Sequence, residues 1–310
     1  MMQFSDEQII AARGARSIPD PSRPYHFLAE EERTATGLIE NVATIFLTNR
    51  ECPFRCLMCD LWKNTTTETV PLGAIPAQIE FALQQLPSCK HIKLYNSGNF
   101  FDAKAIPRAD HPLIAAQVSH FQTVIVENHP RLCSQQCGEF QKLCGTQLEV
   151  AMGLETSNKS TLATLNKQMT TDDFARACEL LQRDQIRLRS FVLLRPPGLT
   201  EEQGIEQSIE SVRFAFDCGV QCCAIIPTRK GNGILDRLEK AGLFASPSLR
   251  SLERVFDECL SWNRGRVFVD LWDIERFASC HECLSARIHR LHQMNLHQQL
   301  RPPVICGYCP

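Results

Sequence analysis

The sequence predicts an α/β fold: a partial (β/α)6 TIM-like barrel of parallel strands, with an N-terminal extension and a small C-terminal metal-binding tail. Three observations carry this. From Val42 onward, short β-branched or apolar runs alternate with amphipathic stretches of helical period, the pattern of repeated β-α units around a parallel sheet. Six such units can be traced, too few for a closed eight-unit barrel, and they could form either a partial barrel or a doubly wound sheet. Residues that carry chemistry fall just after the strand candidates, at the rim where such folds collect their sites.

The elements follow in order. Residues 1–40 read as an extension in which Ser5 is placed to cap a short helix and Ile18-Pro19-Asp20-Pro21-Ser22-Arg23-Pro24 prevents regular structure. The core spans 41–263. Its strand candidates are Val42 to Leu47, His91 to Tyr95, Thr123 to Val126, Leu148 to Gly153, Leu188 to Leu194 and Cys222 to Ile226. Ile75 to Leu86 is amphipathic, Thr170-Thr171-Asp172-Asp173 offers a cap for a helix through Arg183, and Glu201 to Asp217 is helical in period. Residues 264–310 form the tail, with a candidate strand from Val267 to Leu271 and a basic helix rich in Arg and His.

Composition narrows the class. A chain of 310 residues with 44% hydrophobic content is neither disordered nor collagen-like and can bury a sizeable core without staples. Lys plus Arg number 33 against 35 Asp plus Glu, a net charge of -2, so the total gives no reason to bind nucleic acid or an acidic membrane, although a local basic patch could sit inside it. The 16 cysteines fall below the density of a short secreted disulfide scaffold. Met1 to Arg16 mixes charges into its apolar residues and lacks the core of a secretory signal, and no apolar run approaches the ~20 residues that span a bilayer. The expectation is a cytoplasmic protein without a membrane partner, whose cysteines hold metal.

Cys52-Pro53-Phe54-Arg55-Cys56-Leu57-Met58-Cys59 puts three thiols in one short loop directly after the first strand. Three thiolates satisfy three irons of a cubane 4Fe-4S cluster, whereas an electron-transfer site normally uses four. The fourth iron would be left open to chelate a small molecule through an amine and a carboxylate, both of which S-adenosylmethionine (SAM) carries. An electron from the reduced cluster would then cleave the sulfonium and release a 5′-deoxyadenosyl radical. The competing readings are a zinc site with a distant fourth ligand, or plain buried cysteines. Met58 is placed to cover an adenine with a polarisable apolar side chain.

Beyond the second strand, the small residues of Asn96-Ser97-Gly98-Asn99-Phe100-Phe101 allow the backbone to approach a ligand and its carbonyls to accept from an ammonium. The alternative is an ordinary polar turn. Glu127 ends the third strand and Glu155 the fourth, so two carboxylates land on one rim, ready to accept from ribose hydroxyls or an ammonium unless they are merely solvated. Lys167 offers a cation for the SAM carboxylate, or is an ordinary exposed lysine. Arg195-Pro196-Pro197-Gly198 and Pro227-Thr228-Arg229-Lys230-Gly231-Asn232-Gly233 end strands five and six, where substrate or adenine would lie.

In the tail, Cys280-His281-Glu282-Cys283 and Cys306-Gly307-Tyr308-Cys309 form two Cys-x-x-Cys pairs at a spacing close to that of four-cysteine zinc sites. Zinc would staple a segment too small to have its own core; a second iron-sulfur cluster and a redox dithiol are the alternatives. Arg287, His289, Arg290, His292 and His297 make the helix between the pairs basic, either as a solvated face or as a contact for RNA phosphate. The scattered cysteines, Cys222 and Cys223 included, read as small core residues.

The cysteine loop, in this order and at the mouth of the first strand, resembles the radical SAM superfamily. The stretch from Glu127 through Lys167 is similar in order and spacing to the SAM-binding portion of oxygen-independent coproporphyrinogen oxidase and of the Elongator-type radical SAM proteins. That resemblance implies that Glu127 and Glu155 hold the amino and ribose groups and that Lys167 meets the carboxylate. Ile92-Lys93-Leu94-Tyr95-Asn96-Ser97-Gly98-Asn99-Phe100, Val150-Ala151-Met152-Gly153-Leu154-Glu155-Thr156-Ser157-Asn158 and Phe191-Val192-Leu193-Leu194-Arg195-Pro196-Pro197 resemble one family more narrowly, the radical SAM subunit that completes archaeosine in tRNA. The likeness runs from about Thr44 to Cys309 and implies hydrogen abstraction from a lysine already attached to a 7-deazaguanine base, so that a C–N bond breaks and an amidine remains. The implied partners are tRNA, a tRNA-modifying protein that installs the lysine, and a reductase, flavodoxin or ferredoxin as electron donor. The same chemistry is also open to a radical enzyme acting on a small molecule or peptide, and a non-enzymatic metal scaffold is a third reading.

Overall fold

The computed structural model describes residues 3–309. At its centre one curled sheet runs in chain order through β1 (His26–Arg33), β2 (Ile39–Phe46), β3 (His91–Tyr95), β4 (Thr123–Asn128), β5 (Gln147–Glu155), β6 (Arg187–Leu194), β7 (Cys222–Pro227) and β8 (Arg266–Val269). β1 is antiparallel to β2, and every later neighbour is parallel. The helices are α1 (Asp6–Ala12), α2 (Ala74–Leu83), α3 (His111–Val118), α4 (Gln135–Cys144), α5 (Lys159–Thr164), α6 (Thr171–Arg183), α7 (Glu201–Asp217), α8 (Ile234–Lys240), α9 (Leu249–Ser261) and α10 (Leu284–His297). This is the partial parallel α/β barrel expected from the sequence, and β2 to β7 are its six expected strands.

Alternation along each strand separates two environments. Ala43, Ile45, Ile92, Leu94, Val124, Val126, Leu148, Val150, Leu188 and Val192 enter one apolar core beneath the helices. Lys93, Glu149, Arg189 and Arg266 face the other way and join across the interior. Glu32 takes Lys93 at 2.5 Å and Arg189 at 2.6 Å, while Glu149 takes Arg189 at 2.6 Å and Arg266 at 3.0 Å. Capping boxes start the helices where the sequence placed them: Ser5 with Gln8 at α1, and Thr170 with Asp173 at α6.

Two elements differ from expectation. β1 arises within the N-terminal extension, just after Ile18 to Pro24, where no strand was expected, because three of its residues are glutamates and apolar alternation is weak; Glu32 nevertheless turns inward to buried cations. The strand expected at Val267 to Leu271 exists as β8, but it pairs with β7 and belongs to the central sheet.

The two ends of the sheet are joined by α10, which contacts both β1 and β8. Asn295 accepts from Val269 N and donates to Val269 O, both at 2.9 Å, and Gln298 does the same at Val267, both at 2.8 Å. Side-chain amides thus take the place of a neighbouring strand on the free edge of β8.

Candidate functional site

The cysteine loop leaves the carboxyl end of β2 and is held from several sides. Asn232, in the turn after β7, donates to the carbonyl of Leu57 at 2.7 Å, and Leu57 N donates to Leu165 O at 2.8 Å. Cys52, Cys56 and Cys59 are free thiols of intermediate exposure. Burial pushes all three up, Cys56 to about 12, with the charge of Lys167 opposing the shift at Cys52 and Cys56. Buried thiols of this kind stay protonated until a metal displaces the proton.

The loop after β3 folds back on Cys52. Asn99 Nδ2 donates to Cys52 Sγ at 3.1 Å while its Oδ1 accepts from His129 N at 2.7 Å. Glu127 Oε1 accepts from Asn96 N at 2.6 Å and Gly98 N at 3.2 Å, so this carboxylate fixes the turn itself. Burial raises the Glu127 pKa to about 7 against those backbone donors. Ser97 Oγ meets Tyr25 Oη at 2.9 Å. Asn96 is fully buried, and neither its Nδ2 nor its Oδ1 has a partner among the described residues.

Opposite this turn, a register shift in β5 between Gly153 and Glu155 re-aims Glu155. Its carboxylate meets Lys167 Nζ at 2.5 Å, with both side chains buried. Burial opposes the Lys167 charge, yet Glu155 overcomes it and raises the lysine's pKa. Gly153 lies beneath the pair, where a Cβ would strike both Glu155 and Lys167. His129 stacks on Phe54 of the cysteine loop at 3.8 Å, and its Nε2 approaches Lys167 O at 3.0 Å. Four rim residues that are not glycine hold left-handed backbone here, namely Ser97 (φ 52°), Glu155 (φ 65°), Asn166 (φ 49°) and Gln168 (φ 57°). Such strain persists only where the surroundings enforce it, and it concentrates at functional sites.

One rim therefore gathers Cys52, Asn96, Ser97, Gly98, Glu127, Glu155 and Lys167. Met58 instead packs against the small apolar cluster of Ile9, Leu57 and Leu235. Asn99, Phe54 and His129 were not singled out by the sequence; Asn99 lies in the turn already suspected, but nothing local marks the stacking of Phe54 on His129. The turn after β7, expected near substrate or adenine, gives its Asn232 to the cysteine loop.

The donor set fits a cluster with one iron left to a ligand: three thiols on one loop, an amide donor on one sulfur, and a fully buried Asn96 whose polar atoms lack partners beside them.

In the tail, the four sulfurs of Cys280, Cys283, Cys306 and Cys309 lie within 4.8 Å of one another, with Cys280 and Cys306 at 3.9 Å and Cys283 and Cys309 at 3.5 Å. Arg287 Nε donates to Cys283 Sγ at 3.1 Å, and Tyr308 N donates to Cys306 Sγ at 3.4 Å. The group could bind a metal. The basic helix does not offer its arginines to solvent: Arg287 pairs with Glu253, and Arg290 takes both oxygens of Asp257 at 2.7 and 2.9 Å.

By fold and cysteine loop the chain resembles the radical SAM enzymes. More narrowly, it is similar to proteins named archaeosine synthase subunit beta. The one from Methanosarcina acetivorans is 26% identical over 239 residues, covering 71% of this chain and 68% of that protein. An uncharacterised protein of Methanocaldococcus jannaschii is 21% identical over 293 residues, covering 89% of this chain and 80% of its own. Among solved structures, methylornithine synthase superimposes with a TM-score of 0.50 at 11% identity, over 86% of this chain and 75% of that one, and shows the shared fold. No family model matches the sequence. No helix among the described residues is long and apolar enough to cross a membrane.

Proposed function

We propose that the chain is a radical SAM enzyme whose Cys52, Cys56 and Cys59 hold a 4Fe-4S cluster and whose rim binds SAM. The carrying observation is the convergence on one rim of the three thiols, the unpartnered Asn96 amide and the buried Glu155–Lys167 pair. A 4Fe-4S cluster held by Cys52, Cys56 and Cys59 would supply one-electron reduction, the chemistry that cleaves the SAM sulfonium to a 5′-deoxyadenosyl radical. The chain's own residues bind and orient. Asn99 steadies the Cys52 sulfur, Glu127 keeps the Asn96-Ser97-Gly98 turn in shape for the methionine amino group, and Glu155 and Lys167 face the ribose and carboxylate. Met58 has no ligand role in this reading, because its side chain packs with Ile9, Leu57 and Leu235.

The substrate in this reading is a modified tRNA nucleoside, a lysine-bearing 7-deazaguanine whose C–N bond is broken. The likeness to archaeosine synthase subunit beta supports it. tRNA, a partner protein that installs the lysine, and a flavodoxin, ferredoxin or reductase complete the reaction in the cytoplasm. The inward pairing of Arg287 and Arg290 favours a second reading, a small-molecule or peptide substrate, because it withdraws the basic helix from RNA.

The tail metal in this proposal is one zinc ion. Four sulfurs about a single zinc lie about 3.8 Å apart, whereas those on the corners of a cubane lie about 6 Å apart. The sulfur separations of 3.5 and 3.9 Å agree with the first.

The test is anaerobic reconstitution with paramagnetic resonance, with and without SAM. A spectrum that SAM perturbs, and 5′-deoxyadenosine release that depends on lysine-modified tRNA, are expected; an unperturbed spectrum overturns the site. Cys56→Ala should abolish SAM cleavage while the tail metal stays bound, and retained cleavage would refute the assignment.

A further inference from the structure

The N-terminal segment, α1 and the residues just after it, makes polar contacts with the two segments that carry the candidate site. Asp6 Oδ1 on α1 accepts from Asn166 Nδ2 at 2.7 Å and from Gln168 Nε2 at 3.3 Å. The same Asn166 amide donates to Arg55 O in the cysteine loop at 2.8 Å. Asn166 and Gln168 flank Lys167, and both are held in left-handed backbone that an outside contact must enforce. Further along, Arg13 pairs with Glu51 at 2.7 Å, Arg16 binds the same carboxylate, and Arg55 reaches it at 3.2 Å. Glu51 immediately precedes Cys52. Ile9 and Ala12 bury against Leu57, Leu235, Leu238 and Phe244, and the Ala12 carbonyl lies where any Cβ at Gly233 would fall.

We infer that the N-terminal segment, α1 with Arg13 and Arg16 after it, is a working part of the cofactor site: Asp6 is a positioning residue that sets Lys167 through the turn of Asn166 and Gln168, and Arg13 and Arg16 brace the cysteine loop through Glu51. The inference rests on the reading of the rim as the SAM site. A covering helix with a purely structural role would need only its apolar face. Here the charged residues converge on the turn around Lys167 and on the residue before the first cysteine.

The test uses the full chain, reconstituted anaerobically. SAM affinity is measured by equilibrium binding, alongside iron content, thermal unfolding and the lifetime of the cluster absorbance in air. Asp6 is partly exposed, so Asp6→Ala should fold with unchanged iron content and bind SAM about fivefold or more weakly, the effect of about one lost hydrogen bond. Asp6→Asn keeps an acceptor oxygen and should restore most of the affinity. Arg16→Ala should shorten the cluster lifetime in air. Wild-type affinity in Asp6→Ala overturns the inference, as does a loss that merely follows a fall in Tm and that Asp6→Asn does not rescue. A wild-type chain that binds no SAM removes the site reading and this inference with it, and is told apart by the control alone.

Discussion

Glu155 and Lys167 illustrate how much one pair can determine. Each is buried, and each would be an expensive orphan without the other. Lys167→Met alone should lower unfolding free energy by about 3 to 5 kcal/mol, because a carboxylate is left in the interior. The double variant Lys167→Met with Glu155→Gln should recover much of that loss, since the lone charge is gone. Urea unfolding of the three proteins decides it; equal stability of the single and double variants would show that the pair is not coupled. The Glu127 carboxylate accepts from Asn96 and Gly98 and so fixes the turn between them. Its contribution to a ligand would come through the shape of that turn.

Among the elements, the tail carries a four-cysteine group that could bind a metal. α10 is anchored at one end by the cysteine group and along its length by Arg287 and Arg290 to α9. Cys283→Ser should release the tail metal and lower Tm, while the cluster loop keeps its iron; metal loss with no change in Tm would contradict a structural role. The parallel strands were readable because each is a short apolar run between helical stretches, α6 because its cap stands in the sequence, and α7 because its apolar residues keep a helical period. β1 was not, since its glutamates look like a solvated stretch until Lys93 and Arg189 arrive from strands far along the chain. The cysteine loop was readable from local spacing alone. The Asn99 contact to Cys52 and the Phe54 stack on His129 depend on strands meeting in space, and no local pattern encodes them.

The molecule as a whole is organised around buried charge as well as apolar burial. Burial would raise the pKa of Glu32, but Arg189 and Lys93 overcome it and hold the carboxyl well below its ordinary range; Glu149 is likewise held down by Arg189 and Arg266. A carboxyl whose pKa is lower in the folded chain contributes stability above its unfolded value, and that contribution is lost as pH falls below about 4.3. The wild-type protein should therefore lose stability steeply on acidification through that range. Glu32→Gln should be less stable at neutral pH and show a shallower acid slope. Equal losses of unfolding free energy in the wild type and Glu32→Gln between about pH 5 and about pH 3, measured by urea unfolding, would show that Glu32 does not carry this dependence.

An unclosed sheet ordinarily presents a bare row of donors and acceptors onto which another copy could zip, the first step toward self-association. Asn295 and Gln298 fill that row on β8 with carboxamides. The barrel can thereby stay incomplete and still resist pairing with another copy through the β8 edge.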